Sequence, residues 1–263
     1  MSALSCRPIA EIIEDNTADF FLGLGRADGS EVCDRRDVKY VFAGSGYNRV
    51  LCSRFPASEA DAVVGRVVAR LDALGIDALW YLGPAAAPGL GGILAEYGFT
   101  YQKDWKSMAI GLAGLLAGSA APRGLEIRPA ESTADLDDWA EVVVASFGID
   151  DDVHRGYGRH LIAGAGAGNG RRRYFLGWLG GRPVATAALF HGTGAAGLYW
   201  VGTLPEARDR GIATAMTWHP LRASKASGHH MAVLNASAAG HPLYRQIGFT
   251  DYHTTAIYHR KAR

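Results

Sequence analysis

The sequence has little cysteine, and this shortage excludes two classes of protein. It carries three cysteines in 263 residues, Cys6, Cys33 and Cys52, an odd number that includes no CxxC pair. This count argues against a disulfide framework and against a cysteine-based zinc site. We therefore expect free thiols, no bound metal and the reducing environment of the cytoplasm.

The sequence also lacks excess charge and long apolar runs. Its 27 Lys and Arg residues nearly balance 26 Asp and Glu, for a net charge of +1, so no strong field attracts nucleic acid or anionic membranes. No run of about 18 apolar residues occurs, which argues against a membrane-spanning helix. The first 16 residues carry early acids and no long apolar stretch, unlike a secretory signal. We expect a cytoplasmic protein that binds neither nucleic acid nor membrane.

One internal stretch separates the chain into two parts. Residues 115–124, LLAGSAAPRG, are rich in small residues, and Gly118 and Pro122 interrupt any helical or strand periodicity there. A new strand pattern, LEIRP, follows. We therefore predict one domain over residues 1–118 and a second over residues 124–263.

The two parts end with similar sequences. ILAEYGFT at 93–100 parallels LYRQIGFT at 243–250, and in both parts a helix and a short strand precede the repeat and another strand follows it. In the first part, apolar residues at helical spacing predict a helix over 58–74, with a capping box of Ser58 and Asp61 at its start and Gly75 as its stop. This similarity predicts two related half-chains in tandem.

The second part shows an α+β order, with antiparallel strands first and a strand–helix–strand crossover after them. Pro220 lies inside the predicted crossover helix and should kink or end it near His219. The predicted strands are 125–129, 174–179, 183–191, 197–203, 231–235 and 250–258, and the predicted helices are 133–147, 211–227 and 242–247.

The segment 201–215, VGTLPEARDRGIATA, carries most of the functional signal. A strand leads through a loop into a helix whose first turn contains Gly211 and Ala213. Small residues there let an anion approach the backbone, and the free N–H groups of the first turn can bind phosphate oxygens. Arg208 and Arg210 add positive charge beside them. The pattern predicts a pyrophosphate site, and neither G-x-x-x-x-G-K-[ST] nor a G-x-G-x-x-G after a strand occurs.

The order of strand, R-x-x-G-x-A, helix, strand and LYRQIGF resembles the GNAT superfamily of acyl-CoA N-acyltransferases. Its pyrophosphate signature, Q/R-x-x-G-x-G/A, is matched by Arg208, Gly211 and Ala213, and the resemblance extends from Leu125 to the C-terminus. It implies an α+β (α/β) fold of two tandem GNAT-like domains. Each would have a mixed, mostly antiparallel sheet flanked by helices.

The resemblance also implies that the chain binds acetyl-CoA or another acyl-CoA. Backbone groups of Trp200, Val201 and Thr203 would pair with the pantetheine arm, and Asn235 and Ser237 would line its other side. The pyrophosphate would lie against the backbone of one continuous run, namely Arg208, Asp209, Arg210, Gly211, Ile212, Ala213 and Thr214.

Tyr244 occupies the position where the family often keeps a tyrosine that protonates the departing CoA thiolate. The ordinary phenol pKa near 10 suits that task. The alternative is that Tyr244 is an aromatic residue packed under the last strand.

The first part lacks these signals. Its corresponding loop, FPASEAD at 55–61, has no glycine or arginine at the needed positions, and Glu59 and Asp61 at the helix start would repel a pyrophosphate. Leu94 stands where the second part has Tyr244. We therefore predict a degenerate, non-catalytic GNAT-like domain that is structural or forms one wall of the substrate cleft.

The expected reaction is transfer of an acetyl group from acetyl-CoA to a primary amine, on a small molecule, by direct attack with Tyr244 as general acid. The protein would be a monomer or a homodimer. Alternatives are a non-catalytic acyl-CoA-binding or regulatory module, a GNAT-fold decarboxylase and an O-acyltransferase.

No general base can be assigned from the sequence, because the strand 197–203 carries no acid. Water-mediated deprotonation is an equal alternative, and the acids at 150–152 could attract a cationic amine. The candidate bases are Asp150, Asp151, Asp152, His154 and His191.

Overall fold

The computed structural model describes residues 7–28, 30–44, 48–115, 121–149 and 170–262. Short 3-10 turns at Ala57–Glu59 and Pro205–Ala207 lie just before the helices that begin at Ala60 and Ile212. The helices are α1 (Ile9–Asp28), α2 (Ala60–Leu74), α3 (Leu90–Glu96), α4 (Thr133–Phe147), α5 (Ile212–Ala226) and α6 (His241–Ile247). The strands are β1 (Glu31–Asp34), β2 (Val38–Phe42), β3 (Arg49–Ser53), β4 (Ala78–Leu82), β5 (Thr100–Gly111), β6 (Leu125–Pro129), β7 (Arg172–Leu179), β8 (Arg182–His191), β9 (Ala196–Thr203), β10 (Met231–Ala236) and β11 (Thr250–Arg260).

The eleven strands of the described residues form one sheet in the order β1-β2-β3-β4-β11-β5-β10-β9-β8-β7-β6. Its neighbours are antiparallel except for two parallel pairs, β3 with β4 and β9 with β10. The predicted fold class, a mixed and mostly antiparallel sheet flanked by helices, is confirmed.

The last strands of the two halves are exchanged within this sheet. β5 ends the first half but pairs with β10 of the second, with Ser107 opposite Asn235. β11 ends the second half but pairs with β4 of the first, with Ile257 opposite Tyr81. β5 and β11 also pair with each other. Backbone hydrogen bonds therefore run without a break from one half into the other.

Alternate residues of the strands face two different helix layers. On one face, α1 and α4 share a buried cluster with Leu176 and Tyr199. On the other face, Phe175 belongs to the cluster under α5 and α6, and Val50 belongs to the cluster under α2 and α3. Because α1 contacts strands of both halves, it covers the place where they join.

The start of α2 differs from the prediction. The capping box expected at Ser58 and Asp61 is wrong, because a 3-10 turn precedes the helix and the N-cap residue, Glu59, makes no side-chain hydrogen bond to it. The Asp61 carboxylate instead accepts a hydrogen bond from the Tyr97 hydroxyl at 2.9 Å. Gly75 ends the helix in the left-handed conformation, as predicted.

Helix α5 corrects a second expectation. It continues through Pro220 to Ala226 and does not end near His219. Pro220, Leu221 and Ser224 are buried, so packing on the sheet offsets the hydrogen bond that proline cannot donate. The Ser224 hydroxyl also donates a hydrogen bond to the Pro220 carbonyl at 2.8 Å.

The sequence predicts free thiols, and the structure describes two of the three cysteines. Cys33 and Cys52 are free, and Cys6 lies outside the described residues. Burial raises the pKa of both described thiols, which keeps them protonated and unreactive near neutral pH. No helix in the described ranges has the length and apolar character needed to cross a bilayer.

Candidate active site

Strands β9 and β10 lie side by side only over a short distance. They pair at Ala196 with Ala232 and at Gly197 with Val233, and they pair no further although both strands continue. The sheet therefore opens between Trp200 on β9 and Asn235 on β10. A ligand arm that enters this opening can pair with strand backbone on either side.

A bulge in β9 lies beside the opening. Between the pairs Thr186–Gly202 and Ala188–Tyr199, β9 contains one residue more than β8. Trp200 has a φ of 45° there, which is unusual for a residue with a large side chain. The buried Thr186 hydroxyl donates to the Trp200 carbonyl at 2.9 Å. Bulges of this kind redirect backbone groups next to functional sites.

The loop before α5 turns the start of that helix toward the opening. Asp209 and Gly211 have φ angles of 59° and 74°, two left-handed residues within four positions. Gly211 is the N-cap of α5 and provides no side-chain cap. The first-turn N–H groups of α5, which have no partner within the helix, are therefore available to an anionic ligand.

The side chain of Arg208 holds this loop in place. Its guanidinium donates to the Thr203 carbonyl at 3.2 Å and to the Ser146 carbonyl at 3.0 Å. These bonds connect the loop to the end of β9 and to α4. Arg210 is exposed and does not line the cavity described next. The anion contacts that the site offers thus come from backbone amides more than from arginine side chains.

A cavity of about 550 Å³ lies against the loop and the first turn of α5, and we call it the donor cavity. Among the residues that sequence analysis did not select, Ser146 and Phe147 of α4 line it. The hydroxyls of Ser146 and Thr203 are buried and find no hydrogen-bond partner among the described residues, so a polar ligand atom would satisfy them. The predicted site residues that line it are Val201, Thr203, Arg208, Asp209, Gly211, Ile212, Ala213, Thr214, Ser237 and Tyr244.

A second cavity of about 220 Å³, which we call the acceptor cavity, adjoins the first. It lies at the opening between β9 and β10, where Trp200 and Asn235 line it. The first half of the chain supplies another wall with Phe21, Lys103 and Trp105. Residues that line both cavities are Phe147, Val201, Ser237, Gly240 and Tyr244.

Tyr244 lies where the two cavities meet. It is buried on α6, and its ring packs edge-on against Phe249 with centroids 5.8 Å apart. Burial raises the pKa of its phenol. The group is therefore protonated at neutral pH, which is the form that a general acid requires.

Asn235 connects the second half to the first. Its side-chain oxygen accepts from the Ser107 hydroxyl at 2.6 Å, and its nitrogen donates to the Thr17 hydroxyl at 2.8 Å. The amide therefore holds β5 and α1 against β10. Its place is in the wall of the acceptor cavity, and it does not line the donor cavity.

Of the candidate general bases, the structure describes only His191, which lies away from this site. His191 pairs with His229 at 2.9 Å, and it lies opposite Ala196, about 13 Å along β9 from Trp200 at the usual rise per strand residue. Residues 150–152 and His154 lie outside the described residues.

Comparison with known proteins agrees with this geometry. A family model described as an acetyltransferase (GNAT) domain matches residues 126–251. A solved GCN5-related N-acetyltransferase from Kribbella flavida is similar over 97% of this chain and 96% of its own, at 19% identity and a TM-score of 0.73. Another from Sphaerobacter thermophilus is similar over 89% of this chain and 76% of its own, at 17% identity and a TM-score of 0.60.

A tandem GNAT protein from the clavulanic acid biosynthesis pathway also shares the fold, over 86% of this chain and 78% of its own, at 16% identity and a TM-score of 0.56. No curated protein gave a match. At these identities the structural likenesses establish the fold, and the family model establishes the domain. Residues 126–251 of this chain belong to the GNAT family of acetyltransferases.

Proposed function

We propose that this chain transfers an acetyl group from acetyl-CoA to the primary amine of a small molecule. The observation that carries the proposal is the pair of adjoining cavities with Tyr244 in the wall of both. A donor in the first cavity and an acceptor in the second would meet beside the bulge at Trp200. Bringing two reactants together in this way removes much of the entropic barrier of a bimolecular reaction.

The donor cavity suits a CoA thioester. The positive end of the α5 dipole and the first-turn amides would hold the pyrophosphate. Backbone groups of Val201 and Thr203 would pair with the pantetheine arm in the opening of the sheet. The buried hydroxyls of Ser146 and Thr203 offer further polar contacts.

Acetyl-CoA supplies a thioester carbonyl to this site. A backbone N–H of the bulged strand near Val201 would stabilise negative charge on the carbonyl oxygen. The neutral amine attacks, a carbon–nitrogen bond forms, and the carbon–sulfur bond breaks. Tyr244 donates its phenolic proton to the leaving sulfur, and the amine releases its extra proton to water.

The test is the melting temperature with and without acetyl-CoA, on wild type, Ala213→Glu and Ala226→Glu. Ala213 lies in the first turn of α5 and lines the donor cavity, so a carboxylate there repels the pyrophosphate. Ala226 is exposed at the other end of the same helix and provides a matched control. Ligand at 100 times its dissociation constant stabilises the folded state by about 2.7 kcal/mol. We expect the shift in wild type and the control, and its loss in Ala213→Glu.

Turnover is then measured as CoA release on a panel of amines. Acetyl-CoA binding with no turnover on any amine would support the acyl-CoA-binding module instead. Loss of CO₂ from malonyl-CoA without an amine would indicate a decarboxylase, and ester products would indicate an O-acyltransferase. Absence of a melting shift with acetyl-CoA and with longer acyl-CoAs would overturn the proposal.

A further inference from the structure

The acceptor cavity has aromatic walls contributed by both halves of the chain. Phe21 comes from α1 and Trp105 from β5, while Tyr199 and Trp200 come from β9 and Phe147 ends α4. Its volume of about 220 Å³ suits a body of amino-acid size. An aromatic wall of this kind binds the apolar part of a ligand by burying it from water.

Packing holds these rings in place. Phe21 meets Tyr199 edge-on with centroids 6.2 Å apart, and Trp105 meets Tyr81 in the same way at 5.5 Å. The Tyr199 hydroxyl donates to the Asn16 side-chain oxygen at 2.6 Å. The hydroxyl of Tyr199 is thus already hydrogen-bonded within the protein, and its ring forms part of the cavity wall. The apolar surface exists before any ligand binds.

The described part of the cavity wall carries a positive charge. Lys103 is the one charged side chain among the described residues that line it, and no described carboxylate lines it. The Lys103 ammonium lies 5.9 Å from the centroid of the Trp105 ring. Within the described part of the chain no carboxylate forms an ion pair with it. A ligand carboxylate at this end of the cavity would therefore meet an ammonium that none of the described carboxylates pairs with.

We infer that the acceptor is a primary amine on an apolar or aromatic body that also carries a carboxylate, the chemistry of a free hydrophobic α-amino acid. The inference rests on the proposed acyl transfer. The body fills the aromatic walls, the carboxylate pairs with Lys103, and the amine points to the opening between β9 and β10. Polycationic amines are disfavoured because Lys103 repels their additional charge.

This arrangement also bears on the general base, since no carboxylate lines the described part of the cavity. Burial against aromatic rings and a nearby ammonium both lower the pKa of a bound amine. A larger fraction of the acceptor is then neutral when it attacks. Water suffices to remove the proton after the carbon–nitrogen bond forms, so a carboxylate base in the wall is not needed.

The experiment compares matched pairs of acceptors that differ only in the carboxylate, L-phenylalanine with phenethylamine and L-tryptophan with tryptamine, and includes spermidine as a polycation. Rates of CoA release are measured on wild type, Lys103→Met and Lys103→Glu. Lys225→Met, an exposed change at the far end of α5, is the control. Binding is followed in parallel by quenching of tryptophan fluorescence, because Trp105 and Trp200 line the cavity.

In wild type and the control we expect kcat/KM for each amino acid to exceed that of its decarboxylated partner by about fivefold, the upper end for an ion pair with an exposed side chain. The preference should disappear in Lys103→Met and reverse in Lys103→Glu. The acetyl-CoA melting shift should remain in all variants, since Lys103 does not line the donor cavity.

Preference of the wild type for spermidine or for the decarboxylated amines would overturn the inference while leaving acyl transfer intact. An unchanged preference in Lys103→Glu would do the same. If acetyl-CoA binds and no amine is acetylated, the fluorescence titrations decide: tighter binding of the amino acids supports the inference, and no binding or equal binding overturns it. If the wild type does not bind acetyl-CoA, the proposed function itself is overturned.

Discussion

The described part of the sheet opens between two pairs of parallel strands, and the cavities at these openings differ in size. β3 and β4 pair in parallel at Arg49–Leu79 and Val50–Trp80, just as β9 and β10 do over two residue pairs in the second half. The cavity at the first opening measures about 20 Å³, against about 550 Å³ for the donor cavity. The parallel pairing is therefore a property of the fold, and the binding site depends on what surrounds it.

Part of the difference lies in the loop that follows the strand. In the first half, the 3-10 turn Ala57–Glu59 runs directly into α2, and its last residue is the helix N-cap. In the second half, residues 208–211 are inserted between the 3-10 turn and α5. Their two left-handed residues separate the turn from the helix and expose the first-turn amides. The insertion therefore leaves these amides open to the proposed pyrophosphate.

The remaining difference is that α1 fills the first opening. The Glu14 carboxylate pairs with Arg54 at 2.7 Å. A Cβ built at Gly83 would lie 2.1 Å from a Glu14 oxygen, so the glycine is needed for this close approach. A salt-bridged carboxylate occupies the place where the second half has room for a ligand. The same opening is thus filled by a side chain in one half and is the proposed binding site in the other.

The largest expected effect comes from separating the halves. Residues 1–118 and 119–263, expressed apart, each lack the strand that the other half supplies, since β5 lies beside β10 and β11 beside β4. We expect neither fragment to unfold cooperatively, because the missing strand leaves an unpaired, apolar edge in the middle of the sheet. Co-expression should give a stable complex that co-purifies through a tag on one fragment.

Circular dichroism with urea titration checks this expectation. The full chain is the control and should show one cooperative transition. A fragment that folds alone with a midpoint near that of the full chain would mean that the exchanged strands are not required by each half.

A smaller effect is expected when the inserted loop is removed. Deletion of residues 208–211 gives the second half the loop length of the first. We expect acetyl-CoA binding to weaken by at least 100-fold, because α5 then starts directly after the turn and its amides are covered. The two hydrogen bonds of Arg208 to backbone carbonyls are lost as well, at a cost of about 1–3 kcal/mol.

The variant Arg208→Ala separates these two losses. It removes the same side-chain bonds but keeps the left-handed residues Asp209 and Gly211. It should match the deletion in its loss of stability while retaining most of the affinity, as measured by calorimetric titration. Equal affinity loss in both variants would assign the anion site to the arginine and not to the backbone.

The second half has Tyr244 where the first half has Leu94, and Tyr244→Phe tests that difference. We expect kcat to fall by about 100-fold or more, the usual contribution of a general acid, with the acetyl-CoA melting shift unchanged. Because burial raises the phenol pKa, the acid stays protonated at alkaline pH. Deprotonation of Tyr244 should therefore not lower the wild-type rate below about pH 10. Tyr252→Phe, at an exposed tyrosine, is the control. Full turnover by Tyr244→Phe would show that Tyr244 has only a packing role.

Local pattern was enough for much of this molecule. The predicted helix 133–147 is α4, and the predicted strand 125–129 is β6. The predicted pyrophosphate loop lies beside a cavity of suitable size. In each case the signal lies within a short segment, as apolar spacing, a helix cap or a glycine at a turn.

Helix α1 was not predicted, and the reason lies in its packing. Gly23 and Gly25 in its last turns look like helix breakers. A Cβ at Gly23 would lie 1.8 Å from the Arg172 guanidinium, and one at Gly25 would lie 2.3 Å from the Val41 side chain. The glycines allow close contact with the sheet, which local sequence does not reveal. The helix was missed for that reason, and with it the aromatic wall that Phe21 provides.

The strand exchange could not be predicted either. The sequence predicts a strand after each copy of the repeat, over 250–258 in the second part, but it does not say which neighbour each strand pairs with. The two strands follow nearly the same sequence, so each fits either place. Lys103 and Trp105 reach the acceptor cavity only because of this exchange, and that part of the site is absent from any reading of the second half alone.

The smallest expected effect concerns the filled opening. Burial raises the pKa of Glu14, although Arg54 acts in the opposite direction. Folding therefore favours the protonated carboxyl, and the stability that this provides is present below the unfolded pKa and is lost as pH rises through the folded pKa. Glu14→Gln keeps the shape without the charge, and Arg54 retains Asp15 at 2.7 Å. At pH 8 we expect the free energy of unfolding of the variant to equal that of wild type or to exceed it by up to about 1 kcal/mol. This difference should become smaller toward pH 4.5.

Urea unfolding at the two pH values measures this difference, and Glu11→Gln on the exposed side of the same helix should change stability by less than about 0.5 kcal/mol at either pH. A loss of several kcal/mol in Glu14→Gln at pH 8 would show that the ion pair with Arg54, and not the filling of space, holds α1 in the opening. In the expected result the Glu14 side chain closes the first opening by filling space, and a smaller residue at position 14 would reopen it.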